Sequence, residues 1–253
     1  MNNTFLKIFS FVITIGLLLN GCSSSKDLSI SKATYGSYEI EESIEKSSEM
    51  EAFLATYKEA LEEEMNEVVG YAPFDMPRAQ PESLLGNFVA DLILHQGKTY
   101  YNKPVDIAIV NIGGLRVPNI PEGELTKGDI FELMPFDNFL VIMELDAQTL
   151  IKLGEVIADW NGWPVAGMEL EINNRKLESL KINGEAPVAD KIYTVVLSDF
   201  LADGGDRLPF LVDLPRENLG VLFRDAIFDY LKYLKESDKP ITSKLDGRVK
   251  YVQ

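Results

Sequence analysis

The stretch that most constrains this chain runs from Val105 to Arg116, VDIAIVNIGGLR. Five of its first six residues are apolar and mostly β-branched, so Val105 to Val110 is expected to be a buried strand. The polar residues begin abruptly at Asn111. Gly113 and Gly114 then offer backbone angles closed to other residues and leave no side chain in the way, so a ligand can approach the main chain there. Arg116 follows at once, and a guanidinium beside bare backbone N–H groups suits a planar anion such as phosphate or carboxylate. The stretch alone also fits an ordinary strand end with a glycine turn and a surface arginine, since glycine pairs mark turns generally.

The amino terminus sets a different constraint. Lys7 precedes the apolar run Ile8 to Leu19, which Asn20-Gly21-Cys22 closes. Residues 1–21 are therefore read as a signal peptide. Leucine three residues before a cysteine, with a small residue directly ahead of it, resembles the lipobox of bacterial lipoproteins. Cys22 is the chain's one cysteine, so no intrachain disulfide is available and lipidation is its economical use. The run is short for a membrane span of about 20 residues. The expectation is a protein of the bacterial cell envelope, lipid-anchored and facing the periplasm or the exterior. Residues 22–44 would be a tether and amino-terminal extension, and residues 45–253 one domain. The net charge of −16 argues against a surface for nucleic-acid polymers, yet leaves room for a small anion at a locally basic site.

Along the chain, Ala33 to Ile40 is predicted as a short strand. Apolar residues from Met50 to Val68 recur at three- and four-residue steps, which predicts a helix over Ser47 to Val69, ended by Gly70. Glu62, Glu63 and Glu64 are its solvated face. A second helix is predicted over Pro81 to Gln96, with Gly86 marking close packing and the sole histidine, His95, at its dipole-stabilised end. Leu125 to Leu133 is read as a helix, Phe139 to Leu145 as a strand, and Asp146 to Trp160 as a helix. Strands are expected over Pro164 to Ile172, Leu177 to Ile182 and Tyr193 to Leu197, with Asn183-Gly184 a turn. Val221 to Leu234 closes the pattern as an amphipathic helix. This order does not alternate as a doubly wound sheet would, so the fold class is α+β, with a mixed sheet and packed helices.

Two further motifs echo the first. Pro135-Phe136-Asp137-Asn138 precedes a strand, and a phenylalanine and an asparagine two apart can share a face, offering a stacking ring and an amide. The strand ending at Leu197 runs into Asp199-Phe200-Leu201-Ala202-Asp203-Gly204-Gly205-Asp206. In order and spacing, NIGGLR, PFDN and DFLADGGD resemble the C-terminal, substrate-binding domain of the 5′-nucleotidase family. PESLLGNFVADLIL and YLKYLKESDKPITSKLDGRV look like that domain's first helix and its end.

The resemblance implies roles for individual residues. Phe136 and Phe200 would sandwich a nucleobase, Asn138 would contact it, and Asp206 would bind ribose hydroxyls. Gly113, Gly114, Gly204, Gly205 and Asn111 would shape the substrate site, and Arg116, with Arg78, would hold the phosphate side. The pattern departs from the family at Asp137, where glycine is usual, and at Arg207-Leu208, where glycine-tyrosine is usual. Of the family's upstream arginine pair, Arg78 remains.

Full-length members also carry a metallophosphatase domain whose two metal ions activate water. One histidine in the whole sequence is too few for that ligand set. No cofactor is therefore expected on this chain, divalent metals entering only through a catalytic partner. Two functions follow: the nucleotide- or nucleoside-binding half of a split, secreted 5′-nucleotidase-type hydrolase, with a separate metallophosphatase subunit, or a lipoprotein that captures nucleotides or nucleosides without hydrolysing them. Acid–base hydrolysis by Asp203 and Asp206 is a weaker third reading, because two aspartates in a glycine loop lack the arrangement of a glycosidase pair.

Overall fold

The alternation of side chains along the central strands decides the architecture. The computed structural model describes residue 32, residues 34–37 and residues 47–253. The signal peptide, Cys22 and most of residues 22–44 lie outside the described residues, as does half of the strand expected over 33–40; residues 34–37 form none. The chain divides into two units, Met1–Ser48 and Glu49–Gln253. Among the described residues, every strand belongs to the second unit.

Helix α1, Ser48–Met65, leads to strand β1, Val68–Ala72, and the two-residue strand β2, Met76–Pro77. Helix α2, Leu84–Tyr101, starts where the Ser83 hydroxyl accepts from the Gly86 N–H, a standard cap for an otherwise orphan donor. Strand β3, Ile107–Ile109, is followed by β4, Asn119–Ile120, β5, Gly123–Thr126, and helix α3, Lys127–Leu133. Strand β6, Phe139–Asp146, passes directly into α4, Ala147–Asp159. Asp146 caps that helix through the Thr149 N–H, a bond that holds its carboxyl below the usual range. Strands β7, Val165–Ala166, β8, Met168–Asn173, β9, Lys176–Ile182, and β10, Ile192–Ser198, come next. Helix α5, Asp199–Ala202, strand β11, Arg216–Leu222, helix α6, Phe223–Glu236, and strand β12, Val249–Tyr251, complete the order.

The main sheet runs β11-β6-β10-β3-β7. Strand β10 lies antiparallel to β6 and parallel to β3, which makes the sheet mixed. Both of its faces are covered. Ala108, Val110, Leu140, Ile142 and Val196 point to one core, shared with Phe88, Leu92 and Ile93 of α2 and with Ile227 and Leu231 of α6. Ile107, Ile109, Val141, Met143, Val195 and Leu197 point to the other, shared with Leu150, Leu153 and Ile157 of α4 and with strands β8 and β9. Successive residues of a strand face opposite sides, so burial on both sides demands an unbroken apolar run. Each buried Val, Leu, Ile, Phe or Met side chain contributes about 1.5–3 kcal/mol of transfer free energy. Gly86 does mark close packing: a Cβ there would lie 3.0 Å from Pro164.

Several sequence expectations need correction. The first helix stops at Met65, and Val68 to Ala72, apolar enough to extend its pattern, pairs with β5 instead. Gly70 is therefore a strand position, where a Cβ would come within 2.4 Å of Ile241. Leu125 likewise belongs to a strand, and α3 begins after a capping box between Thr126 and Asp129. Helix α2 runs on to Tyr101, so His95 is not at its end. Its ring stacks on Tyr233 at 4.8 Å and meets Tyr230 edge-on at 5.1 Å, joining α2 to α6. The expected strand Pro164 to Ile172 is broken by Gly167, whose φ of +72° and proximity to the Asp106 carbonyl bar a side chain. Val221 and Leu222 belong to β11 rather than to the last helix. On α1, Met50, Phe53, Leu54, Tyr57 and Leu61 are more than half exposed.

Candidate functional site

Topology brings the three motif loops to one edge of the main sheet. Strands β3 and β10 are parallel neighbours, so residues 111–116 and 199–206, which follow them, emerge on the same side. Strand β6 runs the opposite way, with Leu140 facing Ser198, so residues 135–138, which precede it, emerge there too. Leu222 pairs with Phe139, which places the first turn of α6 beside them.

The first loop is a 3-10 turn over Ile112–Gly114. Neither glycine takes a positive φ, which corrects the reason given for them from sequence. Space is the constraint instead: a Cβ on Gly114 would stand 2.9 Å from the Asn111 Oδ1, whereas one on Gly113 would meet only an ordinary contact at 3.7 Å. The Asn111 amide, held against that bare backbone, donates through Nδ2 to Asp206 Oδ2 at 2.6 Å. This bond joins the first and third motifs across 95 residues of sequence. The other carboxylate oxygen of Asp206 makes no hydrogen bond among the described residues and remains able to accept.

Backbone conformation concentrates in the third loop. Gly204 has φ +87°, and Asp206 and Arg207 follow at +50° and +69°. Left-handed angles cost a non-glycine residue on the order of 1 kcal/mol. Arg207, which stands where the resembling family has glycine, is held by Asp159 at 2.8 Å and lies over the Trp160 ring at 5.0 Å. Its guanidinium thus engages the end of α4. Asp203 is paired with Arg216 at 2.5 Å, so it is engaged in a salt bridge rather than free for acid–base work with Asp206. A Cβ on Gly205 would fall 2.5 Å from the Phe200 ring; the bare glycine is what lets that ring lie along the loop.

Phe136 and Phe200 are 38% and 41% exposed, too much for core residues. Neither stacks on another aromatic ring among the described residues. Asn138 is half-buried, and its side-chain amide has no hydrogen-bond partner among the described residues. Arg116 is exposed, donates to the Gly113 carbonyl at 3.4 Å and has its guanidinium carbon 5.8 Å from the Phe136 ring centre. Arg78 reaches the same loop by donating to the Leu115 carbonyl, and its backbone N–H binds the Pro118 carbonyl at 2.8 Å. All eleven residues singled out from sequence therefore lie on or against three adjoining loops.

Sequence reading missed the residue that secures the second loop. Arg224, nearly buried at the start of α6, pairs with Asp137 at 2.6 Å. Nothing in its local sequence separates it from any other arginine of an amphipathic helix. Two hollows of about 420 and 390 Å³ are lined by other residues, the first by Gly70, Tyr71, Leu231 and Ile241 and the second by Lys152, Glu155, Arg207 and Phe210.

The sequence model described as 5'-nucleotidase, C-terminal domain, matches residues 65–213. The chain belongs to this family. Among its relatives are the trifunctional nucleotide phosphoesterase protein YfkN of Bacillus subtilis, 30% identical over 84% of this chain and 16% of that protein, and the 5'-nucleotidase of Vibrio cholerae, 27% identical over 62% of this chain and 28% of its own length. The structure of a 5'-nucleotidase precursor from Thermus thermophilus superposes with a TM-score of 0.70 at 27% identity, covering 81% of this chain and 43% of that one. The chain spans less than half the length of each of these relatives.

The Asn111–Asp206 bond carries a test of its own. Asn111→Asp would place two carboxylates in contact and raise the pKa of the pair. At pH 7 the variant is expected to be less stable than wild type by on the order of 1 kcal/mol. Because a raised folded pKa stabilises below the unfolded value and is lost as pH rises, the deficit should shrink as pH falls toward about 4. Urea unfolding across that range checks it; a deficit independent of pH would contradict the contact.

Proposed function

We propose that this family member is the nucleotide- or nucleoside-binding component of a split, secreted 5′-nucleotidase-type hydrolase whose metal-dependent catalytic domain is a separate polypeptide. The observation that carries the reading is the gathering of two exposed phenylalanines, an unpartnered asparagine amide and a half-engaged aspartate at one sheet edge. A nucleobase offers two apolar faces and a polar rim, which suit the rings and the Asn138 amide. A ribose offers two neighbouring hydroxyl donors, which suit the free oxygen of Asp206. Arg116, on the first loop, and Arg78, which donates to the Leu115 carbonyl of that loop, supply donors for a phosphate. The names of the relatives, nucleotide phosphoesterase and 5'-nucleotidase, support the same substrate class.

Titration calorimetry tests the site. Phe136→Ala and Phe200→Ala should each weaken nucleoside binding by about 1–3 kcal/mol. Asp206→Ala should penalise ribonucleosides more than 2′,3′-dideoxy analogues, and Arg116→Ala should penalise nucleotides more than nucleosides. A wild type that binds neither class at millimolar concentration would overturn the proposal.

Hydrolysis is assigned to the partner. The family's chemistry calls for a set of metal ligands, which this reading places on the separate polypeptide. The purified chain should release no phosphate from nucleoside monophosphates when divalent metals are added, and chelator-sensitive turnover that survives rigorous purification would contradict this.

Anchoring belongs to the same proposal. Lipidation of Cys22 would hold the protein at the bacterial envelope through residues 22–44, keeping the site near substrates outside the cytoplasm. Cys22→Ala should then move the protein from the membrane to the soluble fraction. Unchanged fractionation with an unchanged mature amino terminus would refute the anchor.

A further inference from the structure

Arg224 lies outside the stretch that the family model matches, 65–213, and on a different element from every motif. It is 9% exposed. From the first turn of α6 its Nη1 donates to the Met134 carbonyl at 3.2 Å and to the Phe136 carbonyl at 3.4 Å, while its Nη2 donates to Asp137 Oδ1 at 2.6 Å. The guanidinium lies over the Phe131 ring at 4.3 Å. Beside it, the Phe223 N–H binds the Asn138 carbonyl at 2.7 Å. One turn of α6 therefore holds residues 134, 136, 137 and 138 in succession. The same stretch carries Phe136, which is 38% exposed, and Asn138, whose side-chain amide has no hydrogen-bond partner among the described residues.

The arrangement is not one that stability alone favours. The Arg224 Nε is buried without a partner, and Asp137, which balances the charge, is itself largely exposed. Burying a charge under these terms carries a desolvation cost that an apolar side chain would avoid. What the arginine adds is a planar fork able to meet acceptors in several directions at once. Residues 135–138 leave the end of α3 through a proline and enter β6, and among the described residues the hydrogen bonds made by 136, 137 and 138 come from α6.

We propose that Arg224 is a positioning residue for base binding, fixing the turn that presents Phe136 and Asn138 to the ligand. The proposal rests on the nucleoside-binding reading above only for its functional consequence; the geometry it asserts can be tested without a ligand.

The full chain is labelled with 4-fluorophenylalanine, and the Phe136 and Phe200 resonances are assigned with Phe136→Leu and Phe200→Leu. In Arg224→Met the ¹⁹F signal of Phe136 should shift and broaden or split while that of Phe200 stays in place. Adenosine affinity should fall about tenfold, as for a site left loose by its support. In a Phe136→Ala background the same Arg224→Met change should cost little more, because the group it positions is gone.

Asp137→Gly, at an exposed position, decides the matter if Arg224→Met does not fold: the Phe136 signal should move and adenosine should bind more weakly. An unmoved Phe136 signal in the variants, or a full loss of affinity from Arg224→Met in the Phe136→Ala background, would overturn the proposal. A wild type that binds no adenosine would instead remove the nucleoside reading, and the ¹⁹F comparison would still decide what Arg224 holds.

Discussion

The parallel pairing of β3 with β10 is the constraint on which the rest of the domain depends. Val195 sits beside Ile107 and Val196 beside Ala108, with one member of each alternation facing α2 and the other facing α4. A parallel pair needs a crossover and cover on both faces. Once these two strands are side by side, their carboxyl ends open toward the same edge. The loops that follow them must then be neighbours, although 95 residues separate Asn111 from Asp206. Strand β6, running antiparallel beside β10, adds its preceding loop to the same edge.

What converts neighbouring loops into a defined surface is a set of specific tethers. The Asn111 amide joins the first loop to the third, Arg224 ties the second to α6, and Arg207 ties the third to α4. Gly114 and Gly205 serve these contacts by leaving room for Asn111 and for the Phe200 ring. The exposed Arg207–Asp159 pair contributes little to global stability, typically under about 1 kcal/mol. The effect of these tethers is to set direction in loops that would otherwise sample several. Tethering of this kind suits a site of exposed rings, because a ring that is already oriented loses less freedom when a base stacks on it.

Much of this was legible in the sequence because burial on both faces writes itself as unbroken apolar runs. Ile107, Val141 and Val195 sit in such runs, and the polar residues that stop them mark where the site begins. The motif loops were therefore found, and the match to residues 65–213 of the family agrees with them. Elements at the margins were not found. Strand β11 is an exposed edge whose Arg216, Glu217 and Asn218 carry no alternation, and Val68 to Ala72 continues the apolar spacing of α1 until its pairing with β5 overrides it. His95 and Arg224 failed for another reason: their partners, Tyr233 and Asp137, lie 138 and 87 residues away. Spacing along the chain holds no trace of contacts that only tertiary packing creates.

A nucleoside is expected at the edge where these loops meet, rather than in the hollow between β1 and α6. Amide resonances followed during titration with adenosine test it most directly. Perturbations are expected to be confined to Asn111, Asn138, Gly204, Gly205 and Asp206 and their chain neighbours. Perturbations centred on Gly70, Tyr71 and Ile241, which line the hollow, with the motif loops unmoved, would contradict it.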